Sequence, residues 1–186
     1  MLRGLTIRAF NQTDPRTMEQ AFRNIGWNKP ASLFERYLAE QASHTRACLV
    51  ATLNQAFAGY ITVCWKPDYS GFAERGIPEI QDLNVLPDFR RRGIATALLN
   101  DAEAQIARVS GVAGIGVGLH PGYNNAQRLY GKHGYVPDGL GVTYRNRFVR
   151  EGEHVILDDN LVLHLVRHLH QKEPAPRAHF SASIPD

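Results

Sequence analysis

Residues 5–10 alternate apolar and polar side chains, the two-residue period of a half-buried strand. Asn11 to Asp14 then supply helix-start chemistry ahead of Pro15, and Met18, Phe22 and Ile25 recur at helical spacing until Gly26 stops the pattern. A second helix is predicted after Pro30, with Leu33, Phe34, Tyr37 and Leu38 on one face and Ser43 and His44 beyond it. Residues 47–53 and 56–65 are β-rich runs joined by Asn54-Gln55, the pattern of an antiparallel hairpin. Residues 66–78 carry Pro67, Gly71, Gly76 and Pro78 and read as a loop long enough to be functional.

The stretch from Asp82 to Leu99 changes character three times. A short apolar strand over residues 79–86 ends at Pro87, an arginine run and one glycine make a turn, and a helix is predicted from Gly93 to about Val109. Ile94, Leu98, Ala102, Ile106 and Val109 share one face of that helix, which predicts that it packs on the sheet. The first amides of a helix lack partners within it and carry the positive end of its dipole, so such a turn suits an anion, phosphate above all. Gly93 lets backbone approach the ligand and Ala95 keeps the first turn small, while Arg90, Arg91 and Arg92 add charge-assisted contacts to a polyphosphate. The Gly-Lys-Ser/Thr of a P-loop is absent, and so are the paired glycines of a dinucleotide fold.

Residues 113–119 form a glycine-rich strand, where glycine is expected to mark a bulge or a close backbone neighbour instead of a nucleotide fingerprint. Residues 124–133 read as a short helix on which Ala126, Leu129, Tyr130 and His133 share a face, with Asn124 or Asn125 as cap and Gly134 as stop. An irregular strand and hairpin over 135–149 and a closing strand over 161–169 complete the pattern. On that last strand His164 and His168 share a face about 13 Å apart, too far to grip one ion, so no metal is expected.

Arg90, Gly93 and Ala95 match the Arg/Gln-x-x-Gly-x-Gly/Ala signature of the GNAT superfamily of N-acetyltransferases, and Asp82-Leu-Asn-Val-Leu-Pro resembles the strand that leads into it. Ala126-x-x-Leu129-Tyr130-x-x-x-Gly134-Tyr135 resembles the second motif of that family, with one departure: Tyr123 stands where an asparagine is usual. The resemblance implies an α/β (α+β) fold, a mixed and mostly antiparallel sheet flanked by helices, with two splayed strands forming an acyl-CoA cleft. It implies acetyl-CoA as cosubstrate, with backbone groups of Leu83 and Val85 on its pantetheine arm. Residues Arg91, Arg92, Gly93, Ile94, Ala95 and Thr96 would cradle its phosphates, and Asn124 or Asn125 would replace the missing asparagine contact. Tyr130 sits where the family keeps its general acid. Trp27, Phe34 and Tyr37 are substrate-side candidates by the same resemblance, although core packing explains each as well.

An amine attacks only as the free base, so something must take its proton. Asp82, or Glu79 through a water, is the expected acceptor. On a regular strand Glu79 would share Leu83's face and reach the amine less directly than Asp82, which a bulge could turn toward the cleft.

Composition narrows the rest. The 186 residues are 44% hydrophobic and 21% charged, which fits one domain over 1–170 followed by a proline-bearing, loosely ordered tail over 171–186. A net charge of +3 is mild, and three arginines already have an anion to meet, so nucleic acid is not expected as a partner. Cys48 and Cys64 have no metal or disulfide spacing and read as free thiols. With no run of about 18 apolar residues and no signal-peptide core, the expectation is a soluble, cytoplasmic protein, monomeric or homodimeric. The reading that follows is transfer of an acetyl group from acetyl-CoA to a primary amine of a small molecule. Transfer to a protein amine, and a noncatalytic acyl-CoA sensor, are the alternatives.

Overall fold

Strand β1 (Leu5–Ala9) pairs antiparallel with β2 (Arg46–Leu53), and β2 turns through Asn54 and Gln55 into β3 (Ala56–Cys64). Both turn residues have positive φ, 50° and 69°, as a two-residue hairpin turn matched to strand twist requires. The hairpin expected from sequence is therefore present, as are helices α1 (Asp14–Asn24) and α2 (Ala31–Ala42). This computed structural model describes residues 2–169, and the expected tail lies outside the described residues.

The remaining elements are α3 (Ser70–Ala73), β4 (Glu79–Val85), α4 (Ile94–Ile106), β5 (Val112–Gly118), α5 (Asn124–Lys132), β6 (Val136–Tyr144), β7 (Arg147–Phe148) and β8 (Leu161–His168). They complete an eight-stranded sheet in the order β1-β2-β3-β4-β5-β8-β6-β7. Every neighbouring pair is antiparallel except β4 and β5, which run parallel and touch only at Glu79 with Gly114 and Ile80 with Ile115. Beyond Ile80 the two strands part.

The sheet has two different faces. On one, α4 lays Ile94, Leu98, Leu99, Ala102 and Ile106 over Leu49, Ile61, Val63, Ile80, Ile115 and Leu165. On the other, α1 and α2 bury Met18, Phe22, Phe34 and Tyr37 against Phe10, Val50 and Tyr60. Val109, expected on the buried face, is 72% exposed because α4 ends at Ile106. The loop over 66–78 is less open than its composition predicts: α3 plants Phe72 and Tyr69 in a third apolar cluster beneath β5 and β8.

Glycines 114, 116 and 118 lie on this second face at the strand period, and two of them admit aromatic rings. A Cβ at Gly114 would stand 2.5 Å from the Phe72 ring, and one at Gly118 would strike Tyr123. The close neighbours are side chains and not the backbone that the sequence suggested.

Gly59 on β3 illustrates the same constraint for backbone. A Cβ there would collide with the carbonyl oxygen of Asn84 on β4. Gly59→Ala is expected to lower unfolding free energy by about 1–3 kcal/mol. Gly131→Ala, on open helix surface, should be neutral or slightly stabilising in the same urea titration.

Candidate active site

The arginine turn forms as its sequence dictates. Pro87–Phe89 is a single 3-10 turn, after which Arg91 (φ 59°) and Gly93 (φ 80°) take left-handed backbone conformations. No side chain caps α4, so the first amides at Ile94, Ala95 and Thr96 open outward beside exposed Arg91 and Arg92. Nothing lies within 4 Å of a Cβ built on Gly93, so glycine is needed there for its φ and for an unobstructed approach. Arg90 departs from expectation: its Nε donates to the Val85 carbonyl at 3.0 Å and its guanidinium lies 5.6 Å from the Trp27 ring. It ties the end of β4 to the α1–α2 connection instead of joining the other two arginines.

The parting of β4 from β5 leaves a backbone edge unpaired. The Leu86 N–H donates to Ala58 on β3 at 2.9 Å, so alternation turns the amides of Val85 and Leu83 to the opposite, open edge. Their side chains pack toward the α4 face.

Asp82 is where β4 is irregular. It has φ 54°, and the register with β3 slips between Tyr60 and Thr62, so β4 carries one extra residue there. Its carboxylate is surrounded. Lys29 Nζ and Asn84 Nδ2 donate to Oδ1 at 2.7 and 2.8 Å, and the Tyr60 and Tyr37 hydroxyls donate to Oδ2 at 2.5 and 3.1 Å. The Lys29 ammonium also meets the Tyr60 hydroxyl at 2.9 Å and the faces of Phe22 and Tyr60.

The extra residue reverses strand parity. Glu79 therefore does not share Leu83's face: Glu79, Gln81 and Asp82 all stand on the α2 side, and Ile80 and Leu83 on the α4 side. Glu79 is 7% exposed, its Oε2 accepts from Gln81 at 2.6 Å, and Gln81 in turn accepts from Arg46 at 2.8 Å. Burial pushes the Glu79 carboxyl up to about 6, against the partial relief given by Gln81 and Arg46. Oε1 is left without a hydrogen-bond partner among the described residues.

Helix α5 brings Tyr130 to the same region. Glu103 of α4 accepts from the Tyr135 hydroxyl at 2.9 Å and from Arg167 at 2.5 Å and meets His133 at 3.1 Å, which fixes α5 against α4 and β8. The Gln127 amide reaches the Gly118 carbonyl at 2.8 Å. Tyr130 is 6% exposed, and its hydroxyl is neither hydrogen-bonded to a described residue nor sealed from solvent. Burial, then the nearby Tyr123 and Asp82, push its phenol well above the ordinary value. Tyr123 is likewise pushed up to about 12, by burial and by Asp159 and Asp82.

Asn124 and Asn125 do not cap α5. The turn Pro121–Tyr123 runs straight into it, Asn124 is already helical at φ −47° and ψ −46°, and the cap position belongs to Tyr123. Both asparagines are exposed. Of the three aromatic candidates, Phe34 is core, Tyr37 bonds Asp82, and Trp27 stacks between Phe22 and Arg90. Sequence reasoning missed Lys29, Tyr60 and Gln81, which no local pattern sets apart. Among the described residues no cluster fit to hold a metal occurs, and Cys48 and Cys64 are free thiols.

The sequence profile of the Acetyltransferase (GNAT) family matches residues 9–135. No curated protein matches the chain by sequence. Many solved structures share the fold, and three of them illustrate it. The acetyltransferase of GNAT family from Streptococcus pneumoniae is 19% identical, TM-score 0.61, with 89% of this chain and 99% of that one covered. The spermidine N-acetyltransferase from Vibrio cholerae, solved with CoA and spermine, is 18% identical, TM-score 0.62, with coverage of 90% and 97%. A GNAT family acetyltransferase from Elizabethkingia anophelis with acetyl-CoA bound is 17% identical, TM-score 0.60, with coverage of 90% and 99%. With the profile spanning the strand, the arginine turn and the tyrosine helix whose geometry is described above, the chain belongs to the GNAT acetyltransferase family.

Proposed function

We propose that the chain transfers the acetyl group of acetyl-CoA to a primary amine of a small molecule, with Glu79 receiving the amine proton through a water and Tyr130 protonating the departing sulfur. The observation that carries this reading is the parting of β4 and β5 after Ile80, which leaves an open backbone edge on the strand that runs to the uncapped α4 N-terminus. The residues fit the cosubstrate: the amides of Ile94, Ala95 and Thr96 with Arg91 and Arg92 would hold its phosphates, and Leu83 and Val85 its pantetheine arm. Bound there, acetyl-CoA supplies a thioester carbonyl and a thiol leaving group with a pKa of about 8.5.

The chain's own groups then divide the proton work. An amine of pKa about 10.4 arrives as an ammonium and must be deprotonated before it attacks. Glu79 is the better acceptor because Oε1 is free and burial raises its proton affinity, whereas all of Asp82's hydrogen bonds are committed. Burial raises the Tyr130 phenol and so favours its protonated form, and no acceptor for it occurs among the described residues, so its O–H is available to the sulfur. A backbone N–H near Val85 would polarise the carbonyl. The Vibrio relative was solved with spermine, which is consistent with a small amine acceptor.

Arg91→Glu or Gly93→Asp should weaken coenzyme A binding at least tenfold by calorimetry, since one puts negative charge beside phosphates and the other also fills the approach. Unchanged affinity in both would remove this site.

Tyr130→Phe retains the ring, so turnover should fall by about 10²-fold with cofactor affinity intact. Glu79→Gln should cut turnover comparably. Because Glu79 accepts a proton only when ionised, parent activity should fall as pH drops through about 6, and this acidic limb should vanish in Glu79→Gln. An acceptor screen with thiol release as readout checks the substrate class. Release with peptides alone, or no release with any amine, would favour the protein-acetylating or the sensor reading instead.

A further inference from the structure

His164 on β8 is an enclosed ionisable side chain beside Glu79, and the chemistry above does not use it. It is 2% exposed, directly opposite Gly116 in the β5–β8 register. Its ring stacks on Tyr69 at 3.5 Å and 5°, with the Phe72 edge at 5.4 Å. Tyr69 is itself anchored by donating to Asp138 at 2.7 Å. The imidazole therefore has no freedom to swing.

One nitrogen is satisfied and the other is not. Nε2 meets the fully buried Thr143 hydroxyl at 3.0 Å, and that hydroxyl has no other partner among the described residues. A buried O–H must donate. Nε2 is accordingly the acceptor and Nδ1 carries the hydrogen, an assignment made from the bonding network. Nδ1 is one of two orphaned buried polar atoms among the described residues, and it faces Glu79 Oε1 at 4.0 Å. The gap lies over Gly116, where a Cβ would stand 3.4 Å from Oε1 and 3.5 Å from Nδ1. Burial pulls the imidazole down to about 4, so at neutral pH the approach is that of a neutral N–H to a carboxylate and not an ion pair.

We propose that His164 is a positioning residue for Glu79: its Nδ1–H, aimed by Thr143 and held by the Tyr69 stack, hydrogen-bonds Oε1 directly or through one water when the carboxylate is ionised. This rests on Glu79 as proton acceptor in the proposed function. A donor to the charged form favours that form, so His164 keeps Glu79 from being raised further by its burial. The other groups facing Glu79 are Gln81 on its own strand, Arg46 from β2, Cys64 from β3, Asp68 from the loop after β3 and Tyr69 ahead of α3. Asp138 of β6 faces His164. Of these, Gln81 alone donates to the carboxylate, and it uses Oε2.

The test is the pH profile of kcat/KM for the parent, His164→Leu, His164→Asn, Thr143→Val and Glu79→Gln. His164→Leu removes the donor, so the acidic limb should move up by about one pH unit, a tenfold lower kcat/KM below the limb. His164→Asn, whose amide can donate from the Nδ1 position, should restore most of the shift, and Thr143→Val should move the limb in the Leu direction by less. Carboxyl ¹³C titration of Glu79, identified by its absence in Glu79→Gln, gives the same shift without turnover and serves if His164→Leu is too unstable to assay. A Glu79 titration unmoved in both His164→Leu and Thr143→Val would overturn the proposal, as would equal losses in the Leu and Asn variants with no movement of the limb. If Glu79→Gln keeps the parent limb, it is the assignment of Glu79 as acceptor that fails, whatever His164 does.

Discussion

One residue in an unfavourable backbone conformation governs the active-site side of this sheet. Asp82, at φ 54°, sits in a region that costs a non-glycine residue about 1–3 kcal/mol. Such strain persists only where the surroundings over-determine it. Four donors from α2, β3, the α1–α2 connection and Asn84 converge on the Asp82 carboxylate and do so here. The extra residue carries β4 out of step with β3 at the point where β4 has just left β5.

Three consequences follow from that displacement. The amides of Leu83 and Val85 face an open edge, so an extended ligand can pair where a fifth-strand neighbour would otherwise be. Glu79 crosses to the face that carries Asp82, so both carboxylates stand on the α2 side of the sheet. Leu83 and Val85 keep their side chains on the α4 core, which anchors the distorted strand from behind.

The two sides of the candidate site are built by different physics. Toward α4 the geometry is backbone: uncapped amides, a left-handed glycine and an unpaired strand edge, none of which needs a particular side chain beyond Gly93 and the arginines. Toward α2 and β8 it is side-chain chemistry in partial burial, where Lys29, Tyr37 and Tyr60 satisfy Asp82 and Gln81, itself held by Arg46, satisfies one oxygen of Glu79. Glu103 joins the two sides by fastening the helix that carries Tyr130 to the one that starts at the arginine turn.

Sequence alone determined the elements whose signals are local. The arginine turn, the short tyrosine helix with its Gly134 stop, the Asn54-Gln55 hairpin and the α4 face from Ile94 to Ile106 are fixed by dihedral preference and periodicity, which neighbours in the chain suffice to express. Only tertiary structure decided how those elements spend their polar groups. A strand's parity can be counted from sequence only while it stays regular, so the bulge at Asp82 moved Glu79 to the opposite face from the one alternation assigns. Arg90 was drawn to Val85 and Trp27, and the cap of α5 went to Tyr123, because a preceding turn and a distant aromatic compete with the local motif. The glycine repeat at 114, 116 and 118 announced a crowded face, but its occupants come from α3, from the turn before α5 and from the opposite strand. Contacts between residues far apart in the chain leave no spacing rule to read, and Lys29 on Asp82 and His164 beside Glu79 are contacts of that kind.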